Sequence, residues 1–322
     1  MRLTRMLALG ASTLVLVSAC STGGGSSNQP EATQSVAGAT QVALSEAPKA
    51  TVRIGSDPFY ESKIMAEIYA QALEGDGYVV DRTAIGLGAR SVTAAALESG
   101  KFDLKPEYIG SGLAYYKGNA TGDPTANAAA LQQILNGKGG GITVLRFSPA
   151  ADQNAFVVTQ ATATQFHLSK MSDLAAVQSQ LKFGVATDCS TNPVCAAALK
   201  TAYGLDLSGA TPLSACDQPM VDALTAGSIQ VGELCSTQPD ISKNGWVVLT
   251  DDKHTQPADN IAPLVRNDLL SKVDQADFNL VLNNVSQQMT TDELTKLNAQ
   301  FVFDKLDIAT IAKQWLAANK LN

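Results

Sequence analysis

One arrangement of residues occurs twice in this chain, and it constrains the fold more than any other feature. The first copy, "ALESGKFDLKPEYIGSG", spans residues 95–111, and the second, "DALTAGSIQVGELCSTQ", spans residues 222–238. Each has the pattern of a helix end, a glycine that stops the helix, and a short strand. The copies lie 127 positions apart, so that Gly100 matches Gly227 and Tyr108 falls opposite Cys235. The repeat predicts two similar halves.

Strands and helices alternate through most of the chain. "ATVRIGS" (50–56), "YVVDRTAI" (78–85) and "LKFGVAT" (181–187) read as strands, whereas "ESKIMAEIYAQALEGDGY" (61–78) carries apolar residues at helical spacing. This alternation is typical of an α/β protein with largely parallel sheets and helices on their faces. Ligands of such proteins bind beyond the carboxyl ends of the strands. We therefore expect Tyr108 and Cys235 to face one shared cleft.

Local signals predict where several helices begin and end. Pro219 suits the first turn of a helix that Gly227 stops, and "TTDE" at 290–293 is a capping box. In "DIATIAKQWLAANK" (307–320), Trp315 falls on the apolar face of the helix. Trp315 is therefore expected in the core and not at a ligand.

Size and charge exclude one large class of function. The chain has 322 residues, 45% of them hydrophobic and 16% charged, which suits a folded body of about two domains. Its net charge is −7, and it has no basic cluster. Nucleic-acid binding requires lysines and arginines that neutralise phosphates, so nucleic acid is not an expected partner.

The first 48 residues have the composition of a targeting segment and a linker. Arg2 and Arg5 precede an apolar stretch, Met6–Val17, that is too short to span a membrane. The following "VSAC" resembles a bacterial lipobox, which predicts a signal peptide over 1–19 and lipidation of Cys20. The Gly- and Ser-rich residues 20–48 would form a flexible tether. An ordinary secretory signal with an incidental cysteine is the alternative.

Four further cysteines follow: Cys189, Cys195, Cys216 and Cys235. An even number in an exported protein predicts disulfides, and four cysteines allow three connectivities. The short separation favours Cys189–Cys195, which leaves Cys216–Cys235. Zinc is not expected, because the spacings do not match a zinc site and His167 and His254 are the only histidines.

Motifs of catalysis are missing from the sequence. We find no G-x-S-x-G, P-loop or H-E-x-x-H pattern and no plausible Cys–His nucleophile pair. "GLGAR" at 86–90 is more consistent with a tight strand–helix turn, although the helix that follows presents an N-terminus that attracts anions. The sequence therefore predicts a binding protein without a cofactor or metal, and not an enzyme.

Five segments, in order, resemble the substrate-binding proteins of ABC importers for glycine betaine, choline and carnitine. They are "VRIGSDPFYESKIMAEIYAQALEGDGY", "ALESGKFDLKPEYIGSGL", "AFVVT", "DCSTNPVCAAALKTAYGL" and "WVVLTDDKHTQPADNIAPLVR". The resemblance implies a two-lobed, type II periplasmic-binding fold. Lobe I would comprise 49–152 and 253–322, and lobe II 153–252. Two hinge strands, near Ala155–Thr159 and Val247–Thr250, would connect the lobes, which close on the ligand.

The resemblance also implies a ligand site, in which aromatic rings surround a trimethylammonium group. Tyr108 matches a cage tyrosine, and Ser111 matches a hydroxyl contact. Asn154, Val194 and Cys235 stand where aromatic residues are usual, and Asp57 stands where a lysine is common. Phe59, Tyr60, Tyr115 and Tyr116 are candidates for the missing rings, with ordinary packing as the alternative for each. The full predicted set of ligand contacts is Asp57, Phe59, Tyr60, Tyr108, Ser111, Gln153, Asn154, Val194, Cys235 and Thr237.

Two functions follow from this site. The first is an extracytoplasmic, lipid-anchored and monomeric receptor that captures a quaternary-ammonium osmoprotectant and delivers it to an ABC permease. Because most cage positions lack aromatic residues, the alternative is a receptor of the same fold for a neutral, polyhydroxylated or aromatic solute, or for a cation paired with Asp57. An extracytoplasmic enzyme is a remote third hypothesis.

Overall fold

A computed structural model describes residues 49–321. The predicted signal peptide, Cys20 and the tether through residue 48 lie outside the described residues. The strands are β1 Thr51–Gly55, β2 Val79–Ala84, β3 Leu104–Tyr108, β4 Ile142–Val144, β5 Asn154–Val158, β6 Phe183–Ala186, β7 Thr211–Leu213, β8 Val231–Cys235, β9 Val247–Val248 and β10 Ile261–Arg266.

Twelve α-helices and two short 3₁₀ segments, Met171–Ala176 and Gln178–Gln180, connect the strands within 49–321. The α-helices are α1 Tyr60–Gly75, α2 Arg90–Glu98, α3 Ile109–Tyr115, α4 Pro124–Leu135, α5 Gln160–Phe166, α6 Ala196–Tyr203, α7 Gln218–Thr225, α8 Pro239–Lys243, α9 Asn267–Leu270, α10 Gln275–Gln288, α11 Thr291–Val302 and α12 Ile308–Asn319. Among these helices, none combines the length and the apolar character that crossing a bilayer requires.

The strands form two five-stranded sheets with the same topology. Sheet 1 has the order β2-β1-β3-β10-β4, and sheet 2 has the order β7-β6-β8-β5-β9. In sheet 1, β1 lies parallel to β2 and β3, while β10 lies antiparallel to β3 and β4. In sheet 2, β6 lies parallel to β7 and β8, while β5 lies antiparallel to β8 and β9. The predicted α/β class with two mixed sheets is confirmed.

The repeat in the sequence corresponds to one equivalent unit in each sheet. Helix α2 is followed by Gly100, with φ of 74°, and helix α7 by Gly227, with φ of 69°. Glycine adopts this left-handed conformation without the steric cost that a side chain adds. The strands that follow, β3 and β8, each occupy the central position of their sheet. The predicted duplication is therefore confirmed.

Alternating residues bury both faces of each sheet. In β10, Ile261 and Val265 belong to one apolar cluster, whereas Ala262 and Leu264 belong to another. Strand β5 shows the same alternation: Phe156 and Val158 belong to one apolar cluster, and Ala155 and Val157 belong to another. Successive side chains of a strand point to opposite faces, so helices cover both faces of each sheet.

The chain crosses between the sheets twice, before β5 and after β9. The two crossing segments pair through a bridge between Ala151 and Asn260, and the Asp152 amide donates to the Asp259 carbonyl at 3.1 Å. The segments predicted as hinge strands lie beside these crossings, not within them. They include β5 and β9, which pair with each other at Val157 and Val248. Because β5 is hydrogen-bonded on both sides, it is an interior strand of sheet 2.

Candidate functional site

A cavity of about 1290 Å³ opens where the two sheets face each other. The carboxyl ends of β3, β6 and β8 reach it, as do the amino end of β5 and the segment before β10. It lies beyond the carboxyl ends of the parallel strands, where ligands of α/β proteins bind. Seven of the predicted ligand contacts line it: Phe59, Tyr60, Tyr108, Ser111, Asn154, Val194 and Cys235.

Phe59 and Tyr108 form an aromatic corner of this cleft. Their ring centroids are 5.6 Å apart, and the rings are tilted by 42°. Phe59 is 40% exposed, although it is a large apolar residue, because it precedes the first turn of α1 at the cleft. Tyr108 is only 3% exposed, and its hydroxyl donates to Glu61 Oε1 at 2.6 Å. The corner therefore offers one accessible ring backed by a fixed one.

Two further aromatic pairs lie at the edge of the cleft. Tyr60 stacks on Phe301 with centroids 5.2 Å apart, and Tyr115 meets Tyr116 edge-on at 4.9 Å. The Tyr116 hydroxyl donates to Glu98 at 2.8 Å. All four rings line the cavity. The cleft therefore holds aromatic surface even though Asn154, Val194 and Cys235 carry none.

Ser111 and Asn154 are both engaged in hydrogen bonds within the protein. The Ser111 amide donates to Asp259 Oδ1 at 2.9 Å, and the Ser111 hydroxyl donates to Asp259 Oδ2. The Asn154 side-chain amide donates to Gln256 at 3.2 Å. Gln256 in turn donates to the carbonyl of Val194 at 3.0 Å. These bonds position the two polar residues at the cleft surface.

Asp57 does not line the cavity, contrary to the sequence-based expectation. It is buried, and Lys105 Nζ lies 3.1 Å from its Oδ1. Lys105 is itself completely buried and also contacts Glu107 at 3.0 Å. A buried lysine requires such partners. Asp57 therefore balances an internal charge in this structure.

Gln153 and Thr237 also lie away from the cavity surface. The Gln153 side chain donates to the Pro257 carbonyl at 2.6 Å, so it ties the two crossing segments together. Thr237 is almost fully buried, and its hydroxyl lies 2.6 Å from Glu61 Oε2 and 2.9 Å from Asp152 Oδ1. Both residues support the base of the cleft from behind.

Glu61 is the centre of this supporting network. Its Oε1 accepts from Tyr108, and its Oε2 accepts from Thr237 and from Asn298 Nδ2 at 2.5 Å. Thr237 follows a strand of sheet 2, whereas Glu61 and Asn298 belong to helices on sheet 1. Burial raises the pKa of Glu61, while its hydrogen bonds oppose that shift. One carboxyl group thus connects both sheets behind Tyr108.

Three buried carboxyl groups line the cavity: Asp152, Glu233 and Asp259. Burial, with the neighbouring Glu61, raises the pKa of Asp152 well above its usual range. Burial also raises the pKa of Glu233, and it raises the pKa of Asp259 to about 6. Carboxyl groups withdrawn from water resist ionisation unless a positive charge lies nearby. A positive charge bound near these groups would favour their ionised forms.

Arg90 brings positive charge to the same cleft, near Asp259. Its Nε donates to Glu107 Oε1 at 3.0 Å. Burial lowers the pKa of Arg90, but the charges of Glu107, Asp259 and Asp57 raise it by more, so the pKa lies above its usual value. Within residues 49–321, no hydrogen bond engages its Nη1 or Nη2. Arg90 lines the cavity, and these donors are available to an anionic group.

Both predicted disulfides are present. Cys189 bonds to Cys195 and Cys216 to Cys235, with Cα separations of 5.0 and 4.9 Å. The second bridge lies in the cleft wall. The first lies beside Glu233, whose carboxylate and the two sulfurs fall within 4.8 Å of one another. Metal binding requires thiolates, so the oxidised pair offers no metal site.

Sequence reasoning missed Glu61, Arg90, Asp152, Glu233 and Asp259. With 30 acidic residues in the chain, no local pattern distinguishes a buried acid from a solvated one. One signal was available: Glu233 lies within the repeated strand of sheet 2, at an otherwise apolar position. Arg90 ends the glycine-rich "GLGAR" loop, which already indicated a helix N-terminus near an anion site.

Comparison with known proteins gives a consistent result. Residues 50–318 match the family model for the substrate-binding domain of ABC-type glycine betaine transport systems. A glycine-betaine-binding protein of Pseudomonas aeruginosa is 25% identical over 282 residues, which are 84% of this chain and 88% of the relative. The glycine betaine-binding protein YehZ of Escherichia coli is 24% identical, over 82% of this chain and 89% of its own. The crystal structure of a glycine betaine/carnitine/choline ABC transporter superposes with a TM-score of 0.71 at 24% identity, covering 84% of this chain and 99% of that one.

Proposed function

Because the chain belongs to the family of substrate-binding domains of ABC-type glycine betaine transport systems, we propose that it captures a quaternary-ammonium osmoprotectant in the cleft between its sheets. Members of this family bind solutes outside the cytoplasm for an ABC transporter, and they are not enzymes. The proposal adds the class of solute and the residues that hold it.

The observation that carries the proposal is the exposed ring of Phe59 against Tyr108, close to buried carboxyl groups. A quaternary ammonium group carries positive charge but no hydrogen-bond donor, so it is held by aromatic faces and by negative charge. Each ring face contributes about 0.5–2 kcal/mol, most where water is excluded. Phe59 presents such a face, since it is 40% exposed. The ring of Tyr108 packs beside it, with the two ring centroids 5.6 Å apart.

Arg90 suits the carboxylate that betaines carry at their other end. Arginine binds carboxylates through paired N–H donors, and both Nη atoms of Arg90 are free of hydrogen bonds to residues 49–321. A zwitterion would lie with its ammonium group toward Phe59 and its carboxylate toward Arg90. Choline would leave Arg90 unoccupied.

The proposed clamp has lobe I at 49–152 and 253–322 and lobe II at 153–252, as expected from the resemblance. Sheet 1 draws its strands from 51–144 and 261–266, and sheet 2 from 154–248. The crossing segments, which pair at Ala151 and Asn260, would act as the hinge. Bending there would close the two sheets on a solute between them.

The remaining parts of the proposal rest on the sequence. Cleavage before Cys20 and its acylation would anchor a monomeric receptor to the outer face of the cell membrane, and residues 20–48 would act as its tether. A mass spectrum of the mature protein from native membranes tests this directly. An unmodified N-terminus at any position other than Cys20 would contradict it.

The competing hypothesis is a neutral polyhydroxylated or aromatic solute. Asn154 stands at a position where the family usually has an aromatic residue, and its hydrogen-bonding amide is the feature that favours this alternative. Three buried carboxyl groups at the cavity favour the cation, because a positive charge beside them would stabilise their ionised forms and a neutral solute would not.

A thermal-shift screen separates the two hypotheses. Choline, glycine betaine and carnitine are compared with polyols, aromatic solutes and dimethylbutanol, the neutral analogue in which carbon replaces the choline nitrogen. A ligand at a hundred times its dissociation constant stabilises the protein by about 2.7 kcal/mol. We expect stabilisation by the quaternary ammonium solutes and none by dimethylbutanol. Stabilisation by polyols or aromatic solutes alone would establish the alternative.

A further inference from the structure

Asp152 and Glu61 form a pair of buried carboxyl groups at the base of the cleft. The hydroxyl of Thr237 lies 2.6 Å from Glu61 Oε2 and 2.9 Å from Asp152 Oδ1. A threonine hydroxyl has one hydrogen, so it can donate to only one of these oxygens. Two buried carboxyl groups that share one hydroxyl lie close enough for their negative charges to repel, which favours a proton on one of them.

The hydrogen bonds indicate which group holds that proton. Glu61 accepts from Tyr108, Thr237 and Asn298, which stabilise its ionised form. Asp152 has fewer compensating donors, and burial beside Glu61 raises its pKa further. These contacts therefore favour the negative charge on Glu61 and the proton on Asp152.

Asp152 is the member of the pair that a ligand can reach. It is 8% exposed and lines the cavity, whereas Glu61 lies behind Tyr108. Its Oδ1 accepts from the Thr237 amide at 3.2 Å, and no hydrogen bond engages its Oδ2 within residues 49–321. One oxygen of a nine-tenths buried carboxyl group thus remains for the solute.

Other titratable groups face this pair from each surrounding element. They are Tyr60 from α1, Tyr108 from β3 and Asp259 from the second crossing segment. Arg90 lies beyond Asp259 and lowers its pKa. Asp217 and Asp240 lie near Tyr60 and raise its pKa. Most of these groups are acidic or neutral. An added positive charge beside Asp152 would therefore be the main new influence on its proton.

We infer that Asp152 is the residue by which the cleft distinguishes a charged ammonium group from its neutral analogue, and that binding such a group releases a proton from Asp152. This inference rests on the proposed function. The O–H bond of Asp152 breaks, the proton leaves through the open cleft to solvent, and the bonding electrons remain on the carboxylate. The ammonium charge then lies beside the ionised Asp152, with Glu61 buried behind Tyr108. A neutral solute leaves the proton in place.

Calorimetric titration with choline tests the inference on the unmodified protein. Titrations at one pH in phosphate and in Tris, buffers with different ionisation enthalpies, give the number of protons released. We expect about one proton per choline where the pair is protonated, with affinity rising up to about tenfold for each pH unit in that range. Any dimethylbutanol binding should release none and should not change with pH.

Two variants locate the effect. Asp152→Asn keeps the shape but cannot release a proton, so its affinity for choline should no longer depend on pH. Asp188→Asn makes the same substitution at an exposed position of the cleft and should leave the proton count unchanged. If Asp152→Asn does not fold, the buffer comparison on the unmodified protein still shows whether choline binding releases a proton.

The outcomes separate this inference from the proposed function. Proton release by the unmodified protein and by Asp188→Asn, but not by Asp152→Asn, supports the inference. Choline binding without proton release, at an affinity independent of pH, overturns the inference and leaves the proposed function intact. Absence of binding by choline and glycine betaine at every pH overturns both.

Discussion

The hydroxyl of Thr237 lies 2.6 Å from Glu61 Oε2, so a residue that follows the central strand of sheet 2 is bonded to the first helix of sheet 1. The same Glu61 holds the hydroxyl of Tyr108. The network that joins the two sheets therefore also fixes a ring of the cleft. A movement of sheet 2 should therefore also shift the hydroxyl of Tyr108, because both Thr237 and Tyr108 are bonded to the Glu61 carboxyl group.

Replacing Thr237 by valine tests this connection. Thr237→Val keeps the shape but removes the hydroxyl that lies between two buried carboxyl groups, which should lower the free energy of unfolding by about 1–3 kcal/mol. Urea unfolding measures the change. Thr201→Val, at an exposed site on α6, should cost less than about 0.5 kcal/mol. Equal effects of the two variants would show that the hydroxyl makes no buried connection.

Replacing Lys105 tests the assignment of Asp57 to an internal ion pair. Lys105→Met leaves Asp57 and Glu107 buried without their shared cation, which should cost about 3–5 kcal/mol in the free energy of unfolding. The exposed Lys101→Met is the control. A stable Lys105→Met protein with altered solute preference would instead place Asp57 in the ligand site.

Single cysteine replacements should produce thiols of different reactivity. Cys216→Ser frees Cys235, which is half-buried in the cleft wall, so a thiol reagent should modify it in the native protein. Cys189→Ser frees Cys195, which is 1% exposed, so modification should require denaturation. Loss of the bridge that spans 19 positions should also cost about 1 kcal/mol more than loss of the bridge that spans 6. Reversed reactivities would contradict the positions described for these cysteines.

Asp259 should make stability depend on pH. Its pKa in the folded protein is raised from 3.8 to about 6, so the folded state holds a proton that the unfolded state releases. Stability from this group is full below about pH 4 and falls, by up to about 3 kcal/mol, as the pH rises to about 6. The free energy of unfolding, relative to Asp259→Asn, should therefore decrease over that range. A constant or increasing difference would contradict the assignment.

The sequence predicted features that local chemistry sets. Thr290 caps α11 by accepting from the Glu293 amide at 3.2 Å, Trp315 is 4% exposed, and the repeat and both disulfides are present. The bonds that assign Asp57 to Lys105 and Glu61 to Thr237 join positions 48 and 176 residues apart. No periodic pattern contains such pairings. The buried acids of the cleft therefore became visible only in three dimensions.

The most direct measurement is a calorimetric titration of the unmodified protein and Phe59→Ala with glycine betaine and choline. Phe59 is 40% exposed in the cleft, so its removal should leave the protein folded but weaken binding of both solutes by about 2- to 30-fold, the value of one ring face. Equal affinities of the two proteins, or a failure of the unmodified protein to bind either solute, would contradict a quaternary-ammonium site at Phe59 and Tyr108.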